Sequence, residues 1–341
     1  MQNGERGKLA EQFSAGRASE RKLAPAGGRE LHEVNERWGL GLASAALVLN
    51  AFIWGVSWWP LRELQNAGLH PLWSTAMVYV LVLTALLVLR LNSWRAFASC
   101  PQLWLLALMS GLTNVGFNWA VTVGDVVRVV LLFYLMPAWS VLIAWIMLGE
   151  QPTVASLLRL GLAMAGVLIV LKTPESPWPV PQSLADWLAI MGGLTFAITN
   201  ALLRKLKSAP SDSVMLAMFG GGAVLATAAA LTGMTQQLLP APALAASGIP
   251  IALALCLALI VGNVALQYGA ARLAASTTAL VMLTEILFAS VSSSLLGAAE
   301  VGPRVLIGGG LIIIAAVLAA LAPAEQPADR PAETGAKSQS S

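Results

Sequence analysis

Glu285 is the residue whose surroundings most demand a chemical explanation. It lies about eleven residues into the apolar run 274–297, roughly 16 Å along a helix rising 1.5 Å per residue. That depth is near the middle of a hydrocarbon core about 30 Å thick. An ionisable group there is costly unless it is paired, neutral or wet. Its sequence neighbours are apolar, and no Lys or Arg is expected at the same depth. Such a carboxyl can couple transport to protons or bind an amine; it can also sit protonated as a hydrogen bond between helices. Amides come next. Asn114 and Asn118 are four apart, and Asn263 and Gln267 repeat that spacing, which puts each pair on one helical face. Amides offer donors and acceptors without charge, so the pairs can line a polar cavity or join helices. Trp54, Trp58, Trp119, Tyr134 and Tyr268 could supply an aromatic wall for an ammonium or a ring, or serve as packing and interfacial anchors. Asn50, Thr195, Thr199 and Asn200 are weaker candidates, since Ser and Thr in membrane helices often bond back to their own backbone. Asp125 and Arg128 read as a helix cap with an i, i+3 ion pair, or as a gate.

The elements that must hold these groups are apolar helices. The chain has 341 residues, 57% hydrophobic and 11% charged, with mean hydropathy +0.74. A soluble domain is nearer 45–50% apolar and about 25% charged. Of the 37 charged residues, 13 lie in 1–37 and five after Ala322. The middle is thus almost uncharged between polar tails. Ten runs reach the roughly 20 residues that a spanning helix needs: 40–60, 72–91, 102–123, 126–148, 153–171, 184–203, 213–232, 249–271, 274–297 and 302–322. They are too long, and lack the period of two, for an outer-membrane barrel. The expected fold is therefore an all-α integral membrane protein of ten transmembrane helices. Its parts are an N-terminal tail at 1–37, a first five-helix repeat at 38–171, a Pro-rich linker at 172–183, a second repeat at 184–322, and a C-terminal tail at 323–341.

The two repeats are visible as weak self-similarity. Asn114 to Trp119 aligns with Asn263 to Tyr268 at a shift of 149, which also brings Gly161-Leu162 onto Gly310-Leu311. Leu61 to Leu64 aligns with Leu203 to Leu206 at a shift of 142. An odd number of helices per copy inverts the second copy, and inverted repeats are the recurring plan of secondary transporters. Gly192-Gly193, Gly220 to Gly222 and Gly308 to Gly310 suit close helix packing or hinges.

Several classes are excluded or disfavoured. Net charge is only +3, and no basic patch interleaves with aromatics, so no nucleic-acid partner is expected. Cys100 and Cys256 cannot form a disulfide framework. The two histidines, His32 and His70, lie in tail and loop, and no Walker A, HExxH or zinc-ligand cluster occurs. No cofactor, metal or catalytic residue is expected, and the chain does not read as an enzyme.

Trp54-Gly55, Leu148-Gly149-Glu150, the stretch Tyr134-Leu135-Met136-Pro137 and Leu283-Thr284-Glu285 together resemble the drug/metabolite transporter superfamily, EamA type. The resemblance covers roughly 40–322. Two positions depart from it: Ile286 stands where a Pro often follows the Glu, and the second Gly-Glu reads Ala299-Glu300. The resemblance implies a permease exporting amino acids, other metabolites or drugs. The run 130–139 is loosely similar to aromatic amino-acid exporters.

The expected function is a secondary transporter exporting a small organic metabolite, such as an amino acid or drug-like compound, by alternating access. Proton coupling and facilitated diffusion both fit. Glu285, Asn114, Asn118, Asn263, Gln267, Tyr134, Trp54 and Trp58 are the expected substrate-binding or coupling residues. A carrier of sugar phosphates or nucleotide sugars, which would want buried cations, and an integral membrane lipid-modifying enzyme are the alternatives. Expected partners are the small solute, membrane lipids and protons; the number of copies is left open. Placing both termini in the cytoplasm, in an inner membrane, puts 16 Lys and Arg on that side and four opposite, as the positive-inside rule asks. Single cysteines introduced in either tail should accordingly react only after the membrane is permeabilised; labelling of either tail in intact cells would refute this orientation.

Overall fold

The computed structural model of the chain describes residues 26–89, 93–124, 126–171, 181–243, 245–297 and 302–322. Most of the expected N-terminal tail (1–25), most of the linker (172–180), the C-terminal tail, Asp125 and the Ala299-Glu300 pair lie outside these residues. Among those described, every regular element is a helix: α1 Ala26–Val56, α2 Trp58–Asn66, α3 Pro71–Leu89, α4 Ser93–Ser99, α5 Pro101–Val123, α6 Val126–Phe133, α7 Met136–Leu148, α8 Val154–Leu171, α9 Leu184–Lys205, α10 Ser211–Thr235, α11 Gly248–Ala270, α12 Ala275–Met282, α13 Glu285–Leu295 and α14 Pro303–Ala320. Two compact units divide after Leu42; the side-chain packing that follows lies in the second, Ala43–Ser341.

Nine of the helical stretches are long and apolar enough to cross a membrane. α5, with 23 residues, is long enough but carries Ser110, Thr113, Asn114 and Asn118 and so falls outside that group. Long apolar side chains such as Val154, Leu158, Val224, Leu306 and Leu321 are more than 60% exposed. A surface of that kind suits lipid, where apolar contact costs nothing.

Three expected spans are interrupted rather than continuous. The first breaks at Ser57 between α1 and α2, the fourth at Tyr134-Leu135 between α6 and α7, and the ninth at Leu283-Thr284 between α12 and α13. The cause in the first two is a proline one turn on. Pro60 and Pro137 have no N–H, so the carbonyls of Val56 and Phe133 lose their i+4 donor. The ninth has no such proline, since Ile286 occupies the position that the resemblance would fill with Pro. It tightens instead into i+3 bonds: Thr284 N–H to Val281 O at 3.1 Å, and Ile286 N–H to Leu283 O at 3.1 Å. The Thr284 hydroxyl also donates to Val281 O at 2.8 Å. The fourth and ninth breaks are offset by 149, the same shift that aligns the two amide pairs.

Small residues set the helix–helix distances. A Cβ on Gly166 of α8 would lie 2.6 Å from the Gly308 carbonyl oxygen of α14, and one on Gly308 would lie 2.6 Å from that of Gly166. Gly111 of α5 meets the Gly221 backbone of α10 in the same manner. Of the three glycine clusters, then, one member at least of each sits at a close backbone contact, while Gly310 has open space around it. Gly308→Leu should therefore force α8 and α14 apart, an overpacking cost of about 1–3 kcal/mol or more. The melting temperature of the purified protein in detergent should fall for Gly308→Leu and stay level for Gly310→Ala; equal effects would refute this account of the contact.

Candidate functional site

The three interruptions converge on one cavity of about 540 Å³. Trp54, Ser57 and Trp58 reach it from the first break, Phe133, Tyr134 and Met136 from the fourth, and Met282, Glu285 and Ile286 from the ninth. α5 supplies Asn114 and Asn118, α9 supplies Thr199, and α11 supplies Asn263. Tyr79 of α3 and Phe219 of α10 also line it, from two spans that the sequence did not single out. Met136 and Glu285 are again 149 apart. One copy thus offers a thioether where the other offers a carboxyl.

Glu285 is the N-terminal residue of α13, and the N–H groups that follow it are bonded across the break, Ile286 to Leu283 O and Leu287 to Thr284 O. It is half-buried because it faces the cavity. Its carboxyl is in hydrogen-bonding contact with the Tyr134 hydroxyl, so the fourth and ninth interruptions touch through these two groups. Gly55 explains the Trp54-Gly55 pair. A Cβ there would lie 2.7 Å from the Glu285 carbonyl oxygen and 2.7 Å from Phe288 Cβ; its absence lets α1 lie against the first turn of α13. Trp58 Nε1 donates to Ser292 Oγ at 2.9 Å, so Trp58 at the start of α2 is tied to the same α13.

The amides behave unequally. Tyr79 donates its hydroxyl proton to Asn114 Oδ1 at 2.9 Å, and Asn114 and Asn118 Nδ2 donate to backbone carbonyls one turn back, of Ser110 and Asn114, each at 2.9 Å. In the second pair only Asn263 lines the cavity. Gln267 stands behind it, donating from Nε2 to Asn263 Oδ1 at 2.6 Å and facing Ser211 Oγ at 3.1 Å. Gln267 thus positions a lining residue without reaching the cavity. Asn50 lines it from α1, fully buried; its Nδ2 donates to Met282 Sδ at 3.1 Å, and its Oδ1 has no partner. Trp119 and Tyr268 lie outside the lining. Tyr268 instead carries Arg272 over its ring, 3.6 Å from the centroid. Thr195, outside the lining, pairs with the lining residue Thr113 at 3.0 Å, and Asn200 is fully buried off the cavity.

Two ion pairs that the sequence did not reveal flank this region. Arg128 Nε meets Asp186 Oδ1 at 2.8 Å, while the other Asp186 oxygen accepts the N–H groups of Gln182 and Ser183. Asp186 is thereby both a helix cap on α9 and a counter-ion. At the other end, Arg204 Nε meets Glu150 Oε1 at 2.7 Å, and Arg204 Nη1 donates to Leu273 O at 2.6 Å. The Ala275 N–H at the start of α12 points to Glu150 Oε2 at 3.4 Å. Gly149 accounts for the inward turn: its φ of +71° ends α7 in the left-handed region and brings the Glu150 N–H to Ala144 O. Glu150 was visible within Leu148-Gly149-Glu150, but nothing in its spacing disclosed its partner 54 residues on. Start meets start and end meets end, so α6/α7 runs parallel to α9.

Residues 41–172 match the EamA-like transporter family. They hold the first five of the expected spans. No curated protein matches the sequence. Solved structures do: one crystal structure aligns with a TM-score of 0.67 at 15% identity, over 81% of this chain and 96% of its own. That likeness shows that the two chains share a fold over most of their length. Family match and apolar helices together make this a multi-pass membrane protein.

Glu150 is 6% exposed and Arg204 about a quarter exposed at the side chain. Removing one partner leaves the other charge uncompensated, at a cost of about 3 kcal/mol. Glu150→Ala and Arg204→Ala should each lower the melting temperature of the purified protein, and the double variant should lose less than their sum. Strict additivity would show that the pair is not coupled.

Proposed function

We propose that the chain is a secondary carrier of the drug/metabolite transporter superfamily, exporting a small organic solute of amino-acid or drug-like size across the inner membrane. The observation that carries this reading is the 540 Å³ cavity where three interrupted helices, from both halves of the chain, meet at Glu285. Interrupted helices around a central site are how transporters place exposed backbone and charge inside a membrane. In this reading all ten stretches span, α5 included, with both termini cytoplasmic. The two five-helix copies are inverted repeats. The shift of 149 supports them in two independent ways, in the amide pairs of the sequence and in the breaks of the fourth and ninth spans. Two near-equivalent packings of one unit would then give alternating access.

Glu285 is the ionisable carboxyl of the described lining, so it is the group through which protons could couple to flux. Carriage of phosphorylated sugars ranks lower, because none of the described lining residues is Lys or Arg.

A solute panel in proteoliposomes, run with and without a pH gradient, tests the reading. Wild type should accumulate or release at least one organic solute, and Glu285→Gln should reduce that flux tenfold or more or abolish its response to the gradient. Absence of flux for every solute would overturn the carrier reading. Unchanged flux and gradient response in Glu285→Gln would overturn the role given to Glu285.

A further inference from the structure

We propose that the cavity selects small organic cations, amines carrying an aromatic or apolar body, and rejects the corresponding amino acids. Glu285 and Asn50 would together accept the ammonium group. This rests on the carrier reading above and narrows it to one substrate class.

The inference comes from counting which hydrogen-bonding groups the cavity has left to offer. Most of its donors are engaged, though the Thr199 hydroxyl has no partner. Asn114 and Asn118 Nδ2 donate to backbone carbonyls at 2.9 Å, Asn263 Nδ2 to Met218 Sδ at 3.4 Å, and Trp58 Nε1 to Ser292 Oγ at 2.9 Å. The acceptors are different. Asn50 spends its amide nitrogen on Met282 Sδ, which can only accept, and this leaves Oδ1 buried without a partner. A buried carbonyl oxygen without a donor is unfavourable, and an ammonium group would supply the donor. Glu285 offers a carboxyl with Tyr134 as its contact.

Both acceptors belong to the segments where α1 meets the ninth span. Asn50 touches Met282, which precedes Glu285 by one helical turn, and Gly55, further along the same α1, lies against Glu285 itself. Aromatic rings of Trp54, Trp58, Phe117 and Phe133 line the same cavity, and ring faces attract cations. A carboxylate would find the opposite setting. It requires a cation or free N–H groups, the described lining holds no Lys, Arg or His, and Glu285 would repel it.

Phenethylamine and phenylalanine differ only in the carboxylate, so they isolate this prediction. Counterflow of each labelled compound should be measured in proteoliposomes holding the full chain. Phenethylamine should exchange at least tenfold faster than phenylalanine, and a hundredfold excess of phenylalanine should leave phenethylamine flux unchanged. Glu285→Gln and Asn50→Leu should each weaken the apparent affinity for phenethylamine tenfold or more, with Glu285→Asp recovering part of the loss. The competition arm needs only wild type, so a variant that fails to fold does not blunt the test. Equal exchange of both compounds, or effective competition by phenylalanine, overturns the proposal and leaves the carrier reading intact. So does flux of other panel solutes with none of phenethylamine. Failure of every solute instead overturns the carrier reading itself.

Discussion

In hydrocarbon no water is available to satisfy a polar group, so each one must find a partner inside the protein or face a cavity. The arrangement at the centre of this molecule follows from that constraint. Pro60 and Pro137 free two backbone carbonyls, and a third helix is interrupted at Leu283-Thr284, where its bonds tighten to i+3. All three disturbances occur at the same cavity and nowhere on the lipid-facing surface of the described residues. The Phe133 carbonyl shows the local solution. A Cβ on Gly193 would lie 2.6 Å from its oxygen, so glycine there allows α9 to press against the break. Glu285 obeys the same rule. A carboxyl that is intolerable in lipid is tolerable at the start of a half-helix, beside the Tyr134 hydroxyl, with one side toward open space.

Rigidity is distributed accordingly. α6/α7 and α9 are pinned at both ends, by Arg128–Asp186 and by Glu150–Arg204. Between the pins the fourth span is interrupted. Both pairs lie where their helices begin or end, so the charges need not sit at mid-depth. The Arg204 contact to Leu273 and the Glu150 contact to Ala275 extend one pin to α12. That end of the ninth span is therefore tied to the first half of the chain, while its middle is interrupted at Leu283-Thr284.

Close backbone contacts supply the remaining order. A membrane interior offers no hydrophobic drive between helices, so association depends on how near the backbones come. Gly166 and Gly308 meet each other reciprocally, as the helices that end the two halves. Gly111 and Gly221 join α5 to α10. These glycines explain how polar α5 stays inside the bundle: its Asn114, Asn118 and Thr113 face protein and cavity, and its small residues face neighbouring backbone.

Much of this was legible in the sequence. Run length and the scarcity of charge located the helical stretches, because the bilayer imposes a length and a polarity on any segment that crosses it. Glu285 was conspicuous for the same reason, as was the spacing of the amides. What the sequence by itself could not decide was which polar groups meet. Nothing in the spacing of Asp186 and Arg204 points to a partner, and only packing brings them to Arg128 and Glu150, each more than 50 residues away. Gln267 had the same i, i+4 credentials as Asn118, yet the rotation of α11 puts it behind Asn263. The break in the ninth span had no proline to announce it. Helical periodicity fixes which residues share a face; only the positions of the neighbouring helices decide whether that face looks onto lipid, protein or a cavity.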